Sequence, residues 1–189
     1  MSHFAEDLLA RFRWIEGHAD VLGLFADGVF LRRAIDALAG PFRDAGVTQV
    51  AGVEARGFIL GGAVATHMGA GFLPVRKPGA IHPGPKAVQQ TVPDWRGRQV
   101  ALAIQREALR AGDRVLLVDD WAETGSQALA ARALVEECGG TWIGVSLLVD
   151  QLRDDVRARL APVAAVVLAD QLPPSAAPDD TLAAKPARE

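Results

Sequence analysis

Cysteine is nearly absent from this 189-residue chain: Cys138 stands alone, so no intrachain disulfide can form. It lies beside Gly139 and Gly140 at the end of a helical pattern, where a small buried side chain is expected rather than a nucleophile. Long apolar runs are also missing. None approaches the roughly 18 residues of a membrane span, and Met1 to Arg13 is amphipathic, without the apolar centre of an export signal. The expectation is a cytoplasmic protein with no membrane partner. Neither sign of charge dominates: 20 Lys plus Arg stand against 23 Asp plus Glu, a formal net charge of −3. That balance gives no reason to expect nucleic acid as a partner. His3, His18, His67 and His82 show no metal-ligand spacing. An anion site must therefore be a local basic cluster in a mildly acidic protein.

What is present is ordinary globular material, 50% hydrophobic and 23% charged. A chain of this length buries about 70% of its unfolded surface and needs no covalent staples. Hydrophobic periodicity predicts helices over Phe4–Ile15, Val29–Ala45, Phe58–Met68, Ser126–Cys138 and Gln151–Leu160. Pro41 is placed to bend or break the second of these. Strands are predicted over Thr48–Val53, Gly71–Arg76, Gln99–Gln105, Arg114–Val118, Trp142–Val149 and Pro162–Leu168, the last as an edge. Gly17–Gly28 reads as irregular. Gly79–Arg98 reads as a long loop, because Pro83, Pro85 and Pro93 interrupt it. The alternation of strand and helix implies an α/β fold, a mostly parallel central sheet flanked by helices, with ligands at the carboxyl ends of the strands. One domain is expected over residues 1–172, followed by a disordered Pro- and Ala-rich tail at 173–189.

The chain centres on Val115 to Gln127. An apolar run ends in Asp119-Asp120, then Trp121-Ala122-Glu123-Thr124-Gly125-Ser126-Gln127 leads into a helix. Strand, small-residue turn and helix N-terminus form the geometry that holds a phosphate through backbone N–H groups, and the paired acids just upstream suit the hydroxyls of an attached sugar. The alternative is a plain strand followed by a helix capped by Thr124 or Ser126. Two further strand ends carry candidates. Glu54-Ala55-Arg56-Gly57 offers a guanidinium fork and a glycine that admits close approach; it is otherwise a capped helix with a solvated Arg56. Arg76-Lys77 is either an anion contact or a solvated edge. Together the three ends suit a sugar with phosphates at both ends.

Asp119, Asp120, Thr124 and Gly125 match the substrate motif of type I phosphoribosyltransferases, while Glu123, Ser126 and Gln127 depart from it. Val50 to Gly61 resembles the pyrophosphate-loop region of adenine phosphoribosyltransferases. Leu73 to Gly79 is similar to that family's next strand with its Arg-Lys pair, and Ala103 to Val115 to its lead into the motif. The resemblance runs from about Val47 to Val149. It implies the type I phosphoribosyltransferase fold with a small N-terminal hood (about residues 1–28) and a mobile flap (79–98). It further implies a homodimer that uses Mg²⁺ and phosphoribosyl pyrophosphate (PRPP), and a nitrogen base, adenine first, as acceptor. On this resemblance Asp119, Asp120 and Arg56 are the catalytic set. Asp119 and Asp120 hold ribose hydroxyls directly or through metal-bound water, and Ala55, Arg56 and Gly57 bind pyrophosphate, assisted by Arg76 and Lys77. Trp121 to Gln127 complete the substrate site, with Thr124, Gly125, Ser126 and Gln127 around the 5′-phosphate. Trp121 either stacks on the acceptor or simply packs. The family's cis peptide bond corresponds to Glu54–Ala55.

Four features depart from the family pattern. The chain has no tyrosine, so the family's Glu-Tyr-Gly of the flap is missing, and Asp94, Arg96 and Arg98 are the nearby charged groups. The hood stretch Ala19 to Asp27 lacks the family's arginine. Glu123 brings a carboxylate into the phosphate turn. A lysine usual after the Arg-Lys pair is replaced near Ala80-Ile81-His82. The alternative reading is a PRPP- or nucleotide-binding regulator that keeps the fold without catalysis.

Overall fold

The computed structural model describes residues 2–79, 83–92 and 99–175. Ser2 opens the first helix, α1 (His3–Arg11), its Oγ accepting a hydrogen bond from the N–H of Ala5. This helix stops four residues before the predicted end. The backbone turns extended at Phe12, and Trp14–Ile15 (β1) pairs antiparallel with His18–Ala19 (β2) across a two-residue turn. The stretch expected to be irregular thus holds β2 and a short helix, α2 (Val21–Phe25), capped by the Asp20 carboxylate on the N–H of Gly23. The next helix, α3 (Gly28–Ala39), is capped by Asp27, which accepts from the N–H groups of Val29 and Phe30. Pro41 ends it, and Gly40–Phe42 continues as a 3₁₀ turn.

The central sheet is built from β3 (Gln49–Val53), β4 (Gly71–Val75), β7 (Arg114–Ala122), β8 (Thr141–Asp150) and β9 (Val163–Leu168). Its order is β4-β3-β7-β8-β9 and every pairing is parallel. Three helices join the strands: α4 (Arg56–Met68), α5 (Ser126–Glu137) and α6 (Asp154–Leu160). A separate antiparallel pair, β5 (Lys86–Gln90) with β6 (Ala101–Gln105), is tied to the end of β4 by a bridge between Arg76 and Ala103. The expected long loop therefore contains a strand. Alternation in β5 is hard to read because Val88 faces outward while only Ala87 is buried.

Each sheet face has its own core. Phe4 and Leu8 of α1, Phe12 just after it, Phe30 and Leu38 of α3, and Leu60 and Val64 of α4 cover Val50, Leu116 and Val118. On the other face Ala131, Leu134 and Val135 of α5, with Leu102 and Ile104 of β6, cover Leu73, Leu117 and Leu147. Complete burial of a leucine such as Leu38, Leu60 or Leu134 contributes about 1.5–3 kcal/mol. The glycines and alanines of α4 bring it close to the sheet: a Cβ on Gly52 would stand 2.1 Å from the carbonyl oxygen of Gly57. From β3 the chain winds one way to β4, and from β7 the other way to β8. The sheet therefore reverses its winding between β3 and β7, and a crevice opens outside their carboxyl ends.

Candidate active site

A cavity of about 370 Å³ occupies that crevice, within the usual size of a small-molecule site. Glu54, Ala55 and Arg56 reach it from the β3–α4 turn, and Lys77 from the end of β4. Asp119, Asp120, Trp121 and Ala122 come from the end of β7, and Thr124 to Ala128 from the turn into α5. Three predicted strand ends thus meet in one place. The strand carrying the acids is longer than its sequence suggests. Parallel pairing with β8 continues through Trp121 and Ala122, so the acids sit within the sheet and not beyond it.

The electrostatics are concentrated at the acid pair. Asp120 is 3% exposed, and the Nε of Arg56 lies 2.6 Å from its Oδ2, in an alignment that leaves that oxygen short of a well-formed hydrogen bond. Asp119 still reaches the cleft, and its Oδ1 accepts from the N–H of Asp120 at 2.9 Å. Enclosure at the cleft floor, and then the adjacent Asp120 carboxylate, push Asp119 well above the ordinary carboxylate range, against the pull of Arg56. Arg56 links the acids to the basic side of the cleft while its remaining N–H groups keep the capacity to bind a second anion. The peptide bond between Glu54 and Ala55 is cis.

The opposite wall is the phosphate-type turn. Gly125 has φ of +68° and serves as the N-cap of α5 without a side-chain cap. Neither Thr124 nor Ser126 closes the helix in the way the plain-capping alternative requires. The Thr124 hydroxyl donates to Ser126 Oγ at 3.0 Å and accepts from the N–H of Ser126 at 3.3 Å. The N–H groups of Gln127 and Ala128, the next in α5, have no carbonyl partner within the helix, which leaves them and two hydroxyls to face an anion at the positive end of the helix dipole.

Three residues singled out from sequence do not line the cavity. Gly57 is buried against the sheet, where an added Cβ would lie 3.1 Å from Asp119 Oδ1. Arg76 has a terminal nitrogen 3.6 Å from Glu54 Oε1, and Glu54 also accepts from the N–H of Lys77. Glu54 therefore ties the two basic strand ends together. Glu123 is exposed and is not among the residues lining the cavity. Asp94, Arg96 and Arg98, and the Ala80–His82 replacement, lie outside the described residues.

Sequence reasoning also missed residues that shape the site. Leu22 of α2 lines the cavity, as do Leu117 and Leu147 from adjacent strands. Trp121 joins Trp14 (centroids 6.0 Å apart) and Phe12 (6.3 Å) in an aromatic wall, and its indole N–H donates to Gln151 Oε1 at 2.9 Å. The pairing spans 30 positions and leaves no local signal in the sequence.

No group of three or more His, Cys, Asp or Glu side chains is placed to hold a metal among the described residues. Two adjacent carboxylates suit a different arrangement. Mg²⁺ keeps several waters and binds through one or two carboxylates together with substrate phosphates, so the donor set fits an ion that arrives with a phosphorylated substrate.

Residues 28–167 match the family model described as phosphoribosyl transferase domain. The chain belongs to the phosphoribosyltransferase family. It is 44% identical over 131 residues to the adenine phosphoribosyltransferase of Dinoroseobacter shibae, covering 69% of this chain and 72% of that relative. Among solved structures it is similar to adenine phosphoribosyltransferase from Rhodothermus marinus, with TM-score 0.78 and 34% identity over 87% of this chain and 98% of that one. The Saccharomyces cerevisiae enzyme, solved with adenine and an imino-altritol bisphosphate, gives TM-score 0.77 and 28% identity, covering 88% and 99%. This membership favours the enzyme reading over the non-catalytic regulator. Among the described residues no helix is long and apolar enough to cross a membrane.

Proposed function

We propose that this phosphoribosyltransferase moves ribose 5-phosphate from PRPP to adenine, releasing pyrophosphate. The observation that carries the reading is the single cavity lined by Arg56 and Lys77, by Asp119 and Asp120, and by the Thr124–Gln127 turn. The sequence relatives and solved structures named above are adenine enzymes, which supports adenine as the acceptor.

In this reading the α5 turn holds the 5′-phosphate through backbone N–H groups and the Thr124 and Ser126 hydroxyls. Asp119 and Asp120 accept hydrogen bonds from the ribose hydroxyls. Arg56 and Lys77, with the Ala55 backbone, take the pyrophosphate, and Arg76 acts through Glu54. A nitrogen of the base attacks the anomeric carbon as the bond to pyrophosphate breaks. Positive charge develops on the ribose beside the two carboxylates, which favour it over the ground state. The departing negative charge is met by Arg56 and Lys77. Mg²⁺, held through water by Asp119 and Asp120, would neutralise charge on pyrophosphate when bound. The acceptor lies against Trp121 and Leu22, where a flat ring gains stacking on the indole.

We further read residues 1–172 as one domain with a hood over about 1–28 and a flap over 79–98. The tail beyond 175 lies outside the described residues. A homodimer is supported by Val29 and Ile59, 69% and 44% exposed on two helices that pack on each other. The setting is cytoplasmic. Calorimetry with PRPP, followed by pyrophosphate release across a panel of purine, pyrimidine and small aromatic acceptors, tests the function. Turnover with adenine supports it; PRPP binding without release for any acceptor means a regulator.

A further inference from the structure

Asp150 ends β8 and is 3% exposed, yet it takes no direct part in the cavity. Its Oδ2 meets the Arg157 guanidinium from α6, and its Oδ1 accepts from the N–H of Leu152 at 2.8 Å. Arg157 also donates to the carbonyl of Val163 at 3.4 Å, which ties α6 to the start of β9. The charge pair thus fixes a tight corner over Asp150, Gln151 and Leu152.

This corner touches the cavity walls from behind at both ends. The N–H of Gln151 donates to the carbonyl of Ala122 at 2.9 Å, and its side chain holds the Trp121 indole. Leu152 and Val156 press on Gly125: a Cβ there would lie 2.7 Å from Leu152 Cδ2 and 2.6 Å from Val156 Cγ1. The left-handed residue that starts the phosphate turn therefore has no freedom on the α6 side. The Arg56 side is tied differently, by Glu54, which meets Arg76 and accepts from the N–H of Lys77.

We infer that Asp150 and Arg157 are positioning residues that hold the phosphate turn, acting through Leu152 and Val156 on Gly125. A phosphate cradle of backbone N–H groups works only when those groups converge. A shift of about 1 Å far from the reacting atoms can cost about a hundredfold. Lysine at 157 keeps the charge near Asp150 but loses the planar fork that reaches both Asp150 and Val163.

The inference rests on the PRPP reading of the cleft, and the test separates the two. Calorimetry with ribose 5-phosphate and, separately, with inorganic pyrophosphate is run on the full chain and on Arg157→Lys. Wild type binds both ligands. R157K is expected to bind ribose 5-phosphate about tenfold more weakly, part of the loss that a misplaced contact can bring, with pyrophosphate affinity kept within about twofold, or about 0.4 kcal/mol. Val156→Ala, which loosens the same contact without touching a charge, is expected to show the same one-sided loss and serves if R157K does not fold. Equal loss of both ligands means a general structural role and overturns the inference, as does no change in either. A wild-type chain that binds neither ligand overturns the PRPP reading and the inference together.

Discussion

Replacing Gly125 by alanine tests the geometry of the phosphate turn in quantitative terms. At φ of +68° an L-residue costs about 1–2 kcal/mol in backbone strain. The new methyl would also stand 2.6 Å from Val156 Cγ1 and 2.7 Å from Leu152 Cδ2, and overpacking of that kind costs about 1–3 kcal/mol. The sum, about 2–5 kcal/mol, is a large part of the roughly 5–15 kcal/mol that holds a domain folded. Urea denaturation followed by tryptophan fluorescence measures it. Val156→Ala removes one of the two clashing groups, while the left-handed φ of residue 125 and the Leu152 contact stay. G125A combined with V156A should therefore recover about 1 kcal/mol or more beyond additivity, and the backbone part should remain. In the G125A protein KM for PRPP rises as the cradle opens. A G125A loss within about 0.5 kcal/mol, the range of a neutral surface substitution, would refute the reasoning, and so would a double mutant that is simply additive.

Other expected outcomes bear on different parts of the molecule. Trp121→Ala removes the indole face from the acceptor wall and should raise KM for adenine about tenfold, near 1.4 kcal/mol of lost stacking and burial. KM for PRPP should stay within about twofold; equal rises in both would make Trp121 a packing residue. Asp27→Asn keeps the helix cap, since asparagine caps as well as aspartate, but loses the charge that meets Arg11. Hydrogen bonds from Arg11 first, then from the N–H groups of Phe30 and Val29, hold Asp27 below its ordinary value of 3.8. A depressed folded-state value contributes stability above the unfolded one and loses it as pH falls through the folded value. The melting-temperature gap between wild type and D27N should thus be open near roughly pH 6 and close in acid; a gap that widens in acid contradicts the assignment.

The sheet and the three converging strand ends were legible because strand ends, turns and helix starts are local patterns. Thr48–Val53, Gly71–Arg76 and the run into Asp119 differ from the observed strands by only a few residues at their ends. What stayed hidden was set by partners distant in the chain. Asp119 to Ala122 stay in the strand because β8 continues alongside, although two adjacent acids normally mark its end. β5 escaped notice because its outward Val88 and inward Ala87 invert the usual contrast, and because prolines precede it. α1 ended early because Trp14 and Ile15 pair with His18 and Ala19, a choice that residues of either propensity allow. The absence of Gly57 and Arg76 from the cavity wall, and the pairs Trp121–Gln151 and Asp150–Arg157, depend on three-dimensional neighbours and left no periodic mark.

The central claim is that one cleft joins a pyrophosphate end, a ribose floor and a phosphate turn to perform transfer onto adenine. Its most direct test is a time course with PRPP, adenine and Mg²⁺ in which nucleotide and pyrophosphate are both quantified. The account predicts that adenosine monophosphate and pyrophosphate appear in equal amounts, and that neither appears when Asp119 and Asp120 are both replaced by alanine. Absence of both products with the wild-type chain, or undiminished formation by the double variant, would contradict it.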